Sequence, residues 1–404
     1  MPLSATTKSI LVFCLASVTY VSVHASVKSA SIAVSPDGST LAVANTDSNS
    51  VSLIALPEET LIEEILVGQS PRTLAFSPSS KFLYIANRQD DTVTRLDLGS
   101  GTVEQSYEVC DEPHGVVVAA DDTVYVSCAA DGLILAFDGQ SGEQRYSLEV
   151  APDPKGLALS ADESQLYVSH FFSGEVSIIG TESFELEKVV TTELDGNLAA
   201  SITLNADETR AYLPQTRSNV TNESLLFDTT VFPIVSVINL ETRFNVPAER
   251  IHLDIVDKPV GLPFDTLLAD DNTLVVMNAA SNDLSVIDLE RSRSLAHIDV
   301  GDFPSGMALS ADGSLLYVNN ALAGTVSVID TLNWEGLREI QVTRLLMPED
   351  LLNGKRLFHS SDRADLARDQ WIACATCHFD GEMDRRTWFF RDGPRNSTSL
   401  LGVG

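Results

Sequence analysis

A single pattern recurs along most of this chain: a short apolar alternation, a turn like Ser-Pro-Asp-Gly, a second apolar run ending in Asn, a polar turn, then a run like Thr-Val-Ser-Val-Ile-Asp. Ile32-Ala-Val-Ser-Pro-Asp-Gly38 with Leu41-Ala-Val-Ala-Asn45 is one instance, and Met307-Ala-Leu-Ser-Ala-Asp-Gly313 with Leu316-Tyr-Val-Asn-Asn320 another. With the residue before each first run as a marker, copies begin at Ser31, Thr73, Gly115, Gly156, Ser201, Gly261 and Gly306, at intervals of 42, 42, 41, 45, 60 and 45 residues. Each copy holds four runs with the two-residue alternation of strands, separated by Gly, Asp, Asn and Ser turns. A four-stranded sheet that cannot bury both faces alone must stack on its neighbours, and seven such units predict an all-β seven-bladed β-propeller over residues 26–343. Helical solenoids are excluded, since no copy carries a helix-length apolar stripe.

The repeat resembles the YVTN family of propeller repeats, through Leu83-Tyr-Ile-Ala-Asn87, Leu166-Tyr-Val-Ser-His170 and Thr325-Val-Ser-Val-Ile-Asp330. It lacks the Gly-His and Trp-Asp marks of WD40 blades. The resemblance implies architecture and says little about function.

If the first strand of each blade descends from a top face, its head and the end of the second strand share that face. The heads read Ala30, Arg72, His114, Lys155, Ala200, Val260 and Ser305. Three consecutive blades thus place Arg72, His114 and Lys155 at one rim of the channel, in an otherwise acidic unit. The ends of the second strands read Asn45, Asn87, Cys128, His170, Gln215, Asn278 and Asn320. These polar columns either hydrogen-bond the loops around a wet channel or form an anion or haem-propionate site that includes Arg72, His114, Lys155 and His170. The fifth copy is lengthened by Thr216 to Pro233, between its second and third strands and on that same face. Long loops on rigid scaffolds more often carry function than structure.

Composition changes after Val342. Residues 344–404 hold nine basic and nine acidic side chains, so the repeat region carries the whole acidic excess behind the net charge of −31. Such an excess repels phosphate backbones and anionic lipid, which argues against nucleic acid as a partner. Pro348, followed by Leu351, Leu352, Leu357 and Phe358, predicts an amphipathic helix. Then comes Cys374-Ala-Thr-Cys377-His378. C-x-x-C-H is the attachment pattern of haem c: both thiols add to porphyrin vinyl groups and the adjacent His ligates iron. A zinc half-site would need a second ligand pair nearby, and a redox dithiol a βαβ context; neither is present.

Gly354-Lys-Arg-Leu-Phe358, Phe379-Asp-Gly381, Thr387-Trp388, Asp392-Gly-Pro-Arg-Asn396 and Ser399-Leu-Leu-Gly402 resemble the first haem domain of the bacterial dihaem cytochrome c peroxidase family. The resemblance implies a small α-helical cytochrome c domain over 344–404, with Cys374 and Cys377 as thioether anchors and His378 as the proximal iron ligand. It makes Arg385, Arg386, Arg391 and Arg395 candidate propionate partners. The family carries two haem motifs and this chain one, so the domain is expected to be incomplete. Met347, His359 and Met383 are poorly placed as a distal ligand, which stays open.

At the other end, Lys8, the apolar run Ile10 to Val23 and Val23-His-Ala25 predict a signal peptide over residues 1–25. The run falls short of the ~20 residues a membrane span needs, and no later segment could span, so the mature chain is expected to be exported, periplasmic, and free of membrane spans. In that oxidising compartment Cys110 and Cys128, which flank the first hairpin of the third copy, are expected to pair, although hairpin geometry does not force the bond. Three functions follow: electron transfer through one haem c to a redox partner protein or small electron carrier, a haem peroxidase or oxidase, or a propeller that serves as a binding module.

Overall fold

The structure, a computed structural model, describes residues 27–192, 195–223 and 229–402. The expected signal peptide lies outside them. Seven antiparallel sheets succeed one another between Ile32 and Gln341, each with strands in sequence order from the channel outward. The first is Ile32–Val34, Thr40–Asn45, Ser50–Ala55 and Thr60–Leu66. In each blade the inner strands are buried on both faces and the outermost is largely exposed, as expected of radially stacked sheets. The core consists of the apolar layers between successive blades, such as Leu74, Leu83 and Ile85 against Ala42, Ala44 and Val51.

The innermost strands show why the marker positions hold small residues. A Cβ on Gly115 would lie 2.2 Å from the Lys155 carbonyl oxygen, and one on Gly156 would lie 2.8 Å from that of Ala200. Each marker therefore abuts the backbone at the head of the next blade. Thr73 uses the same approach differently, donating its hydroxyl to the His114 carbonyl at 2.6 Å.

One register in the sequence reading is corrected. The inner strands of blades two, three, four, six and seven open on Pro71, Pro113, Pro154, Pro263 and Pro304, each paired with the last residue of the second strand. A proline without an N–H is tolerated at such a strand start. Blade six therefore begins at Pro263, its head residue is Phe264 rather than Val260, and its marker is Asp265 rather than Gly261. Gly261 had the right size but lies in the preceding connection, against Ala280 and Ser361.

Asp265 has a partner that the repeat does not disclose. Val27–Lys28 forms a short strand on the inner edge of blade four, pairing with Ala158 and Leu159, and Ala30 bridges to Leu74 of blade two. The chain thus climbs through the channel before blade one begins. Lys28 Nζ lies 2.6 Å from Asp265 Oδ1 and donates to the Thr266 carbonyl at 2.5 Å. Blades seven and one share no strand. The ring closes by packing of Tyr317, Val326 and Val328 on Ile32, Leu41 and Val43.

Blade five carries the expected extension, but as a continued hairpin rather than a loop. Its second strand runs to Ser218 and its third starts at Val231, with Thr216 opposite Pro233. After blade seven, the chain returns to the top face. The helix Glu349–His359 forms there, with Pro348 before its first turn. It docks through its polar side: Lys355 pairs with Asp47 at 2.5 Å and Arg356 donates to the Leu322 carbonyl at 2.8 and 3.1 Å. Leu351 and Leu357 are exposed, the reverse of what an amphipathic pattern leads one to expect. A helical turn at Cys374–Cys377 and a hairpin of Thr387–Phe390 with Gly393–Asn396 complete the segment. Beyond the expected helix it has only short turns and a hairpin.

Candidate functional site

The C-x-x-C-H turn is seated on the channel mouth. Ala373 opens it, its N–H donating to Thr376 Oγ1 at 3.1 Å, and the His378 N–H closes it on the Cys374 carbonyl at 3.0 Å. Cys374 is exposed and Cys377 partly covered, both with free thiols. Burial, with Asp384 and Cys374 adding to it, pushes the Cys377 thiol up to about 12. Cys377 packs beside Trp371, Trp388 and Val231, so the blade-five extension supplies part of its apolar surroundings. His378 Nδ1 is buried without a hydrogen-bond partner.

The two residues after His378 anchor the turn. Phe379 is buried with Phe171, Leu262 and Ala280, its ring stacked on Phe264 at 5.5 Å. Asp380 reaches the basic rim: its carboxylate is 3.0 Å from Arg72 Nη2 and 3.0 Å from Arg88 Nη1. Against the cost of burial, Arg72, Lys155 and Arg88 hold its carboxyl far below the usual range. The rim is thus an anion site, and the anion is this chain's own carboxylate. Lys155 Nζ lies 3.7 Å from the centre of the Phe171 ring, a cation–π contact, and burial pushes its pKa down to about 8. Burial, then Lys155 and Arg72, lower His114 well below the ordinary histidine value.

His170 does not join this site. Its Nε2 is 2.8 Å from Ser177 Oγ and its Nδ1 3.2 Å from the Pro152 carbonyl, so it braces a blade corner. Asn residues do the same work elsewhere in that column: Asn320 Nδ2 donates to Thr325 Oγ1 at 3.0 Å and Ser327 Oγ at 2.9 Å. In blade three the position is Cys128, and the structure joins it to Cys110 in a disulfide with Cα atoms 5.8 Å apart.

The four arginines divide. Arg385 grips Asp153, with Nη2 3.0 Å from Oδ1, and Arg386 donates to the Gly196 carbonyl. Both are engaged by the propeller. Arg391 and Arg395 are exposed on the hairpin. Sequence reasoning missed Asp384, the hub of the segment, which accepts from Trp388 Nε1 at 2.7 Å and from the Arg386 N–H at 3.0 Å. It also missed Asp380, whose only signal was an acid two residues past the C-x-x-C-H motif. His359 is buried with its Nδ1 on the Lys355 carbonyl at 2.9 Å. Among the described residues no group of three or more His, Cys, Asp or Glu side chains could hold a bare metal ion, and no helix is long and apolar enough to cross a membrane.

Comparison with known proteins gives the propeller fold. The family described as Lactonase, 7-bladed beta-propeller, matches residues 12–120. No curated protein matches the chain. Among solved structures, hydrazine synthase of Kuenenia stuttgartiensis is similar at 20% identity and a TM-score of 0.70, over 74% of this chain and 94% of that one. A dihydro-heme d1 dehydrogenase, NirN, in complex with DHE, is similar at 16% identity and a TM-score of 0.53, over 77% of this chain and 66% of that one. At such identities the likeness is one of fold.

Proposed function

We propose that this is an exported protein that carries one haem c on Cys374 and Cys377, with His378 as an iron ligand, and that it transfers electrons. The observation that carries this reading is the pair of free thiols one helical turn apart, followed at once by a histidine, on a turn locked to a rigid propeller. The donor set fits the group. Zinc would need a fuller ligand set, and among the described residues no group of three or more His, Cys, Asp or Glu side chains is placed to hold a metal ion, whereas thioether formation needs only the two thiols and leaves no charge on sulfur. Solved relatives of the fold include a protein whose name records a haem, in keeping with this reading.

When bound, the group supplies an iron that cycles between two oxidation states, its potential tuned by ligation and burial. The chain's own residues do the rest. Asp380 and Phe379 fix the backbone that presents His378, and Trp371 and Trp388 keep water from Cys377. Arg391 and Arg395 are the cations left to meet acidic groups. The exposed Leu351, Leu357 and Phe389 offer apolar surface for a flat group or a redox partner to cover.

The test is expression with a haem-ligation system. The protein should keep its colour in denaturing gels, and Cys374→Ala with Cys377→Ala should remove it. Covalent haem in that double variant would overturn the assignment. A six-coordinate low-spin spectrum without peroxide turnover is expected for electron transfer, and rapid peroxide turnover would favour the enzyme instead.

A further inference from the structure

The C-terminal segment has no apolar core of its own. Among the described residues, both buried clusters that include its side chains also include the propeller: Ala373 and Phe379 lie with Phe171 and Leu262, and Trp371 and Trp388 with Val231. A haem is a broad apolar plate whose potential depends on how much of it is kept from water. A segment built this way has few buried side chains of its own to line a pocket for one.

Cys377 shows what could serve instead. Of the two thiols, Cys374 is exposed and Cys377 partly covered, and the cover is Trp371, Trp388 and Val231, with Val220 beside them. Both valines belong to the blade-five extension. Its second and third strands, Arg210–Ser218 and Val231–Asn239, are nine residues long, where in each of the other six blades the corresponding strands have six. Closing the ring therefore does not require the added length. The extension is also tied to the segment through backbone: the Phe389 N–H donates to the Val220 carbonyl at 2.8 Å, next to Trp388. Val231, although the first residue of its strand, is 3% exposed, because the tryptophans of the segment pack on it.

We propose that the blade-five extension is a wall of the haem pocket, centred on Val231, and that through it the propeller sets the potential of the haem. The inference rests on the proposed attachment at Cys374 and Cys377, and deepens it by giving the scaffold a part in the chemistry of the cofactor. The sign follows from charge. Ferric haem carries one more positive charge than ferrous, and burial disfavours charge, so an apolar wall raises the potential and a polar or acidic one lowers it.

The experiment has two readouts. In the haem-free full chain, dithionitrobenzoate labelling followed by peptide mass should find Cys374 fast and Cys377 slow, and Val231→Ala should speed Cys377 severalfold with Cys374 unchanged. In the haem-loaded chain, Val231→Asp should shift the reduction equilibrium toward the ferric form by roughly tenfold, about 59 mV for one electron. A buried aspartate can unfold the extension, so Val231→Thr, which keeps the shape and adds only a hydroxyl, is the second variant. It should lower the potential by less, with the chain still folded in thermal melts. Val318→Ala, a truncation at a buried site in blade seven, should lower the melting temperature and move neither readout. An unchanged potential in both Val231→Asp and Val231→Thr, unchanged Cys377 labelling in Val231→Ala, or equal shifts in Val318→Ala would each overturn the proposal. A parent chain without covalent haem in denaturing gels overturns the proposed attachment and the wall with it, whereas a coloured parent whose Val231 variants keep its potential overturns the wall alone.

Discussion

Asp380 Oδ1 lies 3.0 Å from Arg72 Nη2, joining residues 308 positions apart in sequence. Arg72 sits at the head of a blade and Asp380 two residues beyond the C-x-x-C-H motif. Their contact, with that of Arg88, ties the chemistry-bearing turn to the scaffold. Removing one partner of a well-covered ion pair costs more than the pair's net worth, about 3–5 kcal/mol, because the remaining charge is left buried.

Asp380→Asn should therefore loosen the C-terminal segment while leaving the propeller folded. Hydrogen exchange should rise in residues 374–402 with little change in the blades. The carboxyl is held below its ordinary value of 3.8 in the folded chain, so its contribution is complete above that value and lost as pH falls below it. Acid should release this segment ahead of the blades, and simultaneous loss of protection everywhere would show that no such latch exists.

His297 gives the opposite pH dependence. Burial alone would lower its pKa, but hydrogen bonds to Asp257 and Asp283 outweigh it and raise the value from 6.5 to about 9; its Nδ1 is 2.7 Å from Asp257 Oδ2. A raised histidine stabilises most fully below its unfolded value and loses that contribution as pH rises through the folded one. Stability should fall between pH 6.5 and about 9, by on the order of 2 kcal/mol after allowance for solvent screening. His297→Gln should flatten that slope in urea unfolding midpoints measured across the range.

The amide corners can be tested singly. Asn320→Ala removes two buried hydrogen bonds, to Thr325 and Ser327, and strands two hydroxyls. A loss of about 1–3 kcal/mol is expected, read from urea unfolding. Asn320→Gln keeps the donor on a longer arm and should recover little, because the corner is closed-packed.

How far the sequence reached follows from what repeats. Blade positions such as Thr73 and Gly115 were visible because each blade meets its neighbour in the same way, so the same small residue recurs. Gly261 misled for the same reason: it imitates a marker that blade six fills with Asp265. The helix at Glu349–His359 was visible from Pro348 and its leucines, but not that Lys355 and Arg356 would dock it, because docking depends on where Asp47 and Leu322 lie in space. Asp380 occurs once, in no periodic pattern, and its meaning appears only when the rim of Arg72, Arg88 and Lys155 is assembled around it. Cys374, Cys377 and His378 stand out in the sequence because their spacing is local, and the structure places them on and just after one helical turn.

Lys28 and Asp265 offer the sharpest check on the channel strand. The side chains are 11% and 5% exposed, so neither charge has water to fall back on. Lys28→Met keeps the length of the side chain and deletes the charge, leaving Asp265 with only the Thr266 N–H at 2.9 Å; a loss of about 3–5 kcal/mol is expected. Asp265→Asn in the same chain removes the stranded charge and should restore part of that loss, so the double variant should be more stable than Lys28→Met alone. Because Lys28 stands on a strand paired with blade four and Asp265 belongs to blade six, the coupling between them measures how firmly Val27–Ala30 ties the ring across its channel. Urea midpoints for the two single variants and the double one give that coupling directly. If Lys28→Met unfolds with the parent, or if the two changes are additive, the segment merely occupies the channel and the ring is held by blade packing alone.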